Sequence, residues 1–306
     1  MTQFVFWLGN HNSMGQRSLE DVIGIVGHQL RALGHTAVWE EANDKWVARE
    51  SGINVVVEGF TPSVIEVIAQ GHAQGARYLC LATEEPTPKG FNHGRDLEMV
   101  RRQQMFPEAM KYFEGILHLV PGERITSWYS QFAPTAYVEL GYAPSLVRKV
   151  RDVEPDYDFG FFGSLSNRRL KILKRLAKRI GTEKAIKVVG DFATQDDRDR
   201  QMRRARVIVQ IRKHEEMGLV SSSRCNTALS IGRPVVAEPH ALSKPWDEIV
   251  KFSSSLESFY DTAILVRSMW RPVHAQQLDA LKKRLPPEVC VGEPLRKIGI
   301  LERMAA

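Results

Sequence analysis

Residues 207–238, VIVQIRKHEEMGLVSSSRCNTALSIGRPVVAE, crowd together the side-chain types that could hold a phosphate. Val207, Val209 and Ile211 alternate as in a buried strand, and Arg212-Lys213-His214-Glu215-Glu216 follows at its carboxyl end. Three serines, Ser221 to Ser223, lead into Arg224-Cys225-Asn226, the start of a short helix. That helix stops at Gly232, and Pro234 to Glu238 opens the next strand. Strand, polar loop, helix and strand make one turn of a parallel α/β sheet. Open sheets of this kind bind ligands beyond the carboxyl ends of their strands. A helix N-terminus presents unpaired amides and suits an anion. The segment therefore reads as a site for a phosphate-bearing ligand.

The elements that must position these residues repeat the same alternation along the whole chain. In the first half, strands are predicted at Phe4 to Leu8, Thr36 to Trp39, Val55 to Val57, Tyr78 to Ala82, Gly115 to Val120 and Ala136 to Leu140. Helical spacing covers Leu19 to Leu33, Pro62 to Ala73 and Arg95 to Phe113. Gly141-Tyr142-Ala143-Pro144-Ser145 and the charged stretch to Asp156 read as a linker between domains. The second half restarts with strands at Tyr157 to Phe162 and Lys187 to Val189 and helices at Arg168 to Ile180 and Asp196 to Arg204. A short strand at Val250 to Phe252 and helices at Leu256 to Met269 and Ala275 to Leu285 complete it. Two domains, 1–150 and 151–306, suit a chain of 306 residues, with the helices after Leu256 expected to pack back across the linker.

Composition narrows the class. Apolar residues make up 43% and charged residues 25%, and no apolar run approaches the roughly 20 residues of a membrane span. The N-terminal MTQFVFWLGN lacks a signal-peptide pattern and reads as a first strand. Cys80, Cys225 and Cys290 form neither a metal motif nor a disulfide framework, so a cytoplasmic protein is expected. The net charge of +6 is concentrated at Arg168 to Arg179 and Arg198 to Lys213, patches that suit anionic ligands. Helix-turn-helix, zinc and aromatic RNA-binding signatures are missing, so no nucleic-acid partner is expected.

The second half resembles the donor domain of nucleotide-sugar glycosyltransferases with two Rossmann-like domains, the GT-B architecture. Three passages carry the likeness: 159–169 (FGFFGSLSNRR), 215–220 (EEMGLV) and 228–237 (ALSIGRPVVA). They resemble the opening strand, glycine turn and basic residues, the acidic-glycine loop and the Pro-Val-Val passage of that domain. The likeness covers roughly 136–252, and Gly141 to Pro144 sits where such enzymes cross between domains. Retaining members often carry an E-x7-E pair, but counting from Glu215 or Glu216 lands on Ser223 or Arg224, and Thr227 stands in the second glutamate's place. The Ser-Ser-Arg-Cys-Asn version is closer to an atypical branch of the family 1/4-like transferases, similar to spore-maturation and surface-glycan enzymes.

The resemblance implies two Rossmann-like domains facing each other across a cleft, and a glycosyl transfer whose leaving diphosphate is met by fixed cations rather than a metal. Arg168, Arg212 and Lys213 would hold the pyrophosphate, with Ser222, Ser223 and the amides before Arg224 at the distal phosphate, and Arg224 and Asn226 would also belong to the donor site. Gly163 and Ser164 would let the backbone approach the ligand, and Glu215, Glu216 or Glu238 would accept from sugar or ribose hydroxyls. The first half would supply the acceptor side, through Asn10, His11, Asn12 and Ser13 after the first strand, and through His93 in a Gly-flanked loop. His11 has the intrinsic pKa of a general base, and Glu84 and Glu85 are its rivals at the same sheet edge. His118, within a strand, reads as structural. No Asp-x-Asp motif stands in a donor loop, so neither metal nor cofactor is expected. The acceptor stays open between glycan, lipid-linked and protein classes, and the basic surface is compatible with peripheral membrane association. A sugar-nucleotide epimerase and a non-catalytic sugar-nucleotide or glycan binder are the alternatives.

Overall fold

The computed structural model describes residues 1–7, 13–39, 51–94, 96–147, 154–181, 185–190, 192, 194–213, 221–239 and 244–301. Two compact units form, Met1–Leu140 with Pro287–Ala306, and Gly141–Pro286. The sequence reading draws its boundary ten residues later, with the helices after Leu256 packing back across the linker.

Unit 1 holds β1 (Gln3–Trp7), α1 (Ser13–Ala32), β2 (Thr36–Trp39), β3 (Ile53–Val57), α2 (Pro62–Ala73), β4 (Arg77–Ala82), α3 (Leu97–Met110), β5 (Gly115–His118), α4 (Glu123–Tyr129) and β6 (Thr135–Tyr137). The six strands pair in parallel in the order β2-β1-β3-β4-β5-β6. Parallel neighbours need crossover connections, which α2, α3 and α4 supply between successive strands from β3 to β6. β3 is buried along its whole length and β4 over all but its first residue, as expected for a sheet covered on both faces. Local chemistry sets the helix starts. Thr61 accepts from the Val64 amide ahead of Pro62, and Asp96 accepts from the Met99 amide at 2.9 Å.

Unit 2 holds β7 (Tyr157–Phe162), α5 (Asn167–Ile180), β8 (Ile186–Val189), α6 (Gln195–Met202), β9 (Ala205–Gln210), α7 (Ser222–Ser230), β10 (Val235–Ala237), β11 (Lys251–Phe252), α8 (Leu256–Ser268) and α9 (Trp270–Arg284). Its sheet is again parallel, in the order β11-β10-β9-β7-β8. Phe159, Phe161, Val207 and Val209 from the central strands pack with Leu173 and Leu176 of α5 and Phe259 and Ala263 of α8. Gly160 lies in β7 because a Cβ there would stand 2.8 Å from Ile208 and 2.9 Å from Ala205. The last segment, α10 (Glu293–Lys297), belongs to unit 1, where it lies against β6.

Both units are thus Rossmann-like parallel sheets with helical crossovers, the class expected from the alternation of the sequence. Strand order reverses between β1 and β3 in unit 1, and between β7 and β9 in unit 2. These are the topological switch points, where open α/β sheets bind ligands.

Candidate functional site

In unit 2 the residues flanking the switch point are Gly163 and Ser164 after β7, and Ile211, Arg212 and Lys213 after β9. Gly163 has φ +122°, a conformation that disfavours side chains, and a Cβ there would meet the Arg224 guanidinium at 3.5 Å. The chain then turns into α5, whose N-cap Ser166 accepts from the Arg169 amide at 3.3 Å and donates to the Lys213 carbonyl at 3.1 Å. This cap ties the two strand ends together and aims two consecutive arginines, about 100° apart around the helix, at different partners.

Arg168 makes a bidentate pair with Glu238 at 2.8 and 2.5 Å and donates to the Arg212 carbonyl at 3.1 Å. Glu238 follows β10, is fully buried, and also accepts from the Arg212 amide, with the Arg212 Nε 3.5 Å away. Arg169, buried beside it, donates to the Ile211 carbonyl at 2.9 Å and the Ser164 carbonyl at 2.7 Å, and lies over the Phe161 ring. It pairs with no carboxylate among the described residues. Burial, followed by the nearby Arg224, lowers its pKa to about 10. Arg224 sits in the first turn of α7 with one long hydrogen bond, 3.5 Å to Gln210 Oε1, and no carboxylate partner among the described residues. Burial lowers its pKa too.

Ser221 makes no side-chain cap hydrogen bond, and Ser221 and Ser223 contact each other through their hydroxyls at 3.3 Å. Asn226, expected at the ligand, is wholly buried and donates instead to the Gly141 carbonyl, while its Oδ1 accepts from Ser230 at 3.1 Å. Arg168, Arg169, Arg212, Lys213 and Arg224 therefore meet one carboxylate, Glu238, among the described residues. Glu215 and Glu216 lie outside those residues. Chemically, such a concentration of positive charge suits an anion. The sequence singles out Arg168, Arg212, Lys213 and Arg224 as donor residues, whereas Arg169 enters only as the last residue of the 159–169 passage.

The carboxyl edge of unit 1 holds a second cluster. Glu84 accepts from Arg102 at 3.3 Å and from the Asn92 side chain, and the Tyr129 hydroxyl donates to its carbonyl at 2.8 Å. Glu85 accepts from Arg124 at 2.5 Å and lies 3.8 Å from His93 Nε2. Asn92 and His93 have φ of +50° and +67°, a strained pair for residues other than glycine. The loop is pinned because the Asn92 amide donates to the Glu85 carbonyl at 2.7 Å and its Oδ1 accepts from the Glu85 amide at 3.0 Å. His93, Glu84 and Glu85 are thereby brought into one cluster. Asn10, His11 and Asn12 lie outside the described residues, and Ser13 is the first residue of α1. His118 is buried between the Val120 carbonyl and Thr126, with its pKa lowered to about 4 by burial.

Glu58, not singled out from sequence, stands immediately after β3 at the switch point and is wholly buried. It accepts from the Thr83 amide and from the Thr83 hydroxyl at 2.5 Å. Burial and the neighbouring Glu84 raise its pKa to about 8, against an ordinary value of 4.5. Between those pH values the native carboxyl keeps a proton that the unfolded chain has released. Its contribution to stability is thus complete at about pH 4.5 and is lost as pH rises through 8. Glu58→Gln keeps the neutral shape, so its melting temperature should match the parent's near pH 5 and exceed it at pH 9. Parallel thermal denaturation curves for the two proteins across that range would contradict the assignment.

Among the described residues no group of three or more His, Cys, Asp or Glu is placed to hold a metal ion, and no helix is long and apolar enough to cross a membrane. The three cysteines are free and buried.

No family model and no curated protein matches the chain. Solved structures do. A crystal structure of a point mutant of S. aureus TarM, in complex with fondaparinux, α-GlcNAc-glycerol and UDP, matches with a TM-score of 0.52 at 11% identity, over 90% of this chain and 59% of that one. The protein described here spans about three-fifths of TarM's length. AviGT4, a glycosyltransferase involved in avilamycin A biosynthesis, matches with a TM-score of 0.51 at 9% identity, over 98% of both chains. At such identities the likeness speaks to architecture. The chain has the two-Rossmann GT-B fold.

Proposed function

We propose that the protein is a glycosyltransferase that moves a sugar from a nucleotide-sugar donor to a hydroxyl acceptor without a metal ion. One observation carries the reading: Arg224 and Arg169 stand together at the switch point of unit 2, at the first turn of α7, without a carboxylate among the described residues to neutralise them. A diphosphate is the ligand that such a pair fits. In the reaction, the bond from the anomeric carbon to the diphosphate oxygen breaks and the bond to the acceptor oxygen forms. The acceptor's proton passes to a base, and the departing negative charge is met by Arg224, Arg169, Lys213 and the amides of Ser222 and Ser223. Glu238 is assigned to holding Arg168 and Arg212 in place rather than to a sugar hydroxyl, since its carboxylate is buried and engaged by both. The fold of TarM, crystallised with UDP, and of AviGT4 supports the same reading. So does the Ser-Ser-Arg-Cys-Asn passage, which is closest to the atypical family 1/4-like branch.

Acceptor activation is assigned to unit 1, with His11 as base and Glu84 and Glu85 as the alternatives. His93 and the residues around His11 are assigned to the acceptor, of glycan, lipid-linked or protein class. A second reading, a non-catalytic sugar-nucleotide binder, is favoured by Ser223 and Arg224 at the spacing where an E-x7-E pair would end.

Thermal shifts with a panel of sugar nucleotides test the first step. One donor should raise the melting temperature and be slowly hydrolysed, and both effects should survive EDTA, because protein cations do the work that Mg²⁺ or Mn²⁺ does elsewhere. A shift without hydrolysis or transfer selects the binding protein. No shift with any donor overturns both readings, and loss on chelation restored by a divalent ion overturns the metal-free site.

A further inference from the structure

The outer side of α5 carries a feature that the anion site does not use. Between this helix and β8, an edge strand of the unit 2 sheet, runs a groove of about 690 Å³. Leu173, Ala177, Ile186 and Val188 line it, Leu170 lies at one end, and Lys174 and Lys178 stand along it. Leu170 is 39% exposed, whereas Leu173 is 3% exposed, so the apolar lining is recessed below its margin.

The cations of α5 divide into two rows. Arg175 and Arg179 turn toward α8, where Glu257 and Asp261 pair with them and Tyr260 lies beneath. Lys171, Lys174 and Lys178, at i, i+3 and i+7, share the opposite flank and are exposed. No carboxylate among the described residues lies within ion-pair distance of these three or lines the groove. Sheets of this class bury both faces under helices, and here the helical layer leaves a gap at the edge.

The geometry points to a docking site for an acidic amphipathic helix of a partner protein. Charge complementarity and shape select it. The lysine row extends about 10 Å along α5, two helical turns, so a helix lying alongside would set carboxylates at the same spacing against it. Its apolar side chains at i, i+3 or i+4, and i+7 would enter the groove. A bilayer surface would touch Leu170 but not the recessed Leu173. This inference is independent of the glycosyltransferase reading.

Selection from a displayed library of 18-residue amphipathic helices, with the full-length protein as bait, tests it. Enriched peptides should carry an apolar stripe flanked by Asp or Glu. Their binding should weaken at least tenfold in Lys174→Glu/Lys178→Glu and in Leu170→Ser, with the melting temperatures of both variants unchanged, and should also weaken as salt rises. Failure to enrich such peptides, or equal binding to the parent and the variants, would overturn the site. Binding to phosphatidylcholine–phosphatidylglycerol vesicles that needs Lys174 and Lys178, without peptide enrichment, would replace the partner with a membrane. A dimer lost in the same variant would replace it with a second copy.

Discussion

Arg224→Met should raise the melting temperature of the free protein and, at the same time, weaken donor binding. The guanidinium is drawn out of water beside Gly163 and Arg169 without a described carboxylate to offset the cost, and its single described hydrogen bond is long. Replacing it with an apolar side chain of similar length removes that cost. The gain is on the order of 1 kcal/mol, kept small because the side chain is only partly buried, and corresponds to a rise of a few degrees. Bound donor reverses the balance, because the lost charge-assisted hydrogen bonds are worth about 1.5–3 kcal/mol, or some ten- to a hundredfold in Kd. Arg169→Met should behave differently. Arg169 donates to the Ile211 and Ser164 carbonyls and stacks on Phe161, so its loss should lower both stability and donor affinity. Calorimetric titration with the donor and thermal denaturation without it measure the two effects. An Arg224→Met variant with unchanged Kd would remove Arg224 from the phosphate site.

On the acceptor side, His11→Ala should depress turnover by about 10²–10⁴-fold with donor affinity nearly unchanged, the usual loss when a general base is removed. Single-turnover transfer and donor titration separate the two quantities. Normal turnover in His11→Ala would pass the role to the carboxylates after β4. Glu85→Gln would then carry the larger loss, since both partners of Glu85, Arg124 and His93, are exposed, whereas Glu84 is engaged by the buried Arg102 and by Asn92.

The parts of this fold that could be read from sequence are those whose signal is local. α2 begins where Thr61-Pro62 says it should, and β7 coincides with its apolar run. α4 was passed over because Pro121-Gly122 reads as a stop and seven residues are too few to display a helical period. α1 starts six residues before its apolar periodicity does, at a polar stretch with no acidic residue in its first turn. The same limit applies at the sites. Sequence locates cations at a strand end but not their direction. Arg168 and Arg169 look alike in the chain, yet the α5 cap sends one to Glu238 and the other to backbone carbonyls under the Phe161 side of the sheet. Glu58 has one local mark, a lone acid directly after Val55-Val56-Val57, and its raised pKa comes from burial in the folded sheet and then from Glu84, 26 residues away. Asn226 was assigned to the ligand by its helix position, while its partner Gly141 is 85 residues distant.

The return of the chain to unit 1 has a consequence for biosynthesis. Leu295 and Ile300 are fully buried there, and Ile298 lies so close to β5 that a Cβ on Gly115 would stand 2.9 Å from it. Unit 2, in contrast, is one continuous stretch, Gly141–Pro286. On the ribosome the later-translated unit can therefore close first, while the earlier one waits with the apolar flank of β5 and β6 uncovered until Leu301 has emerged. Vectorial synthesis and order of completion run in opposite directions in this chain, and the waiting sheet is the part that a nascent-chain chaperone would have to shield.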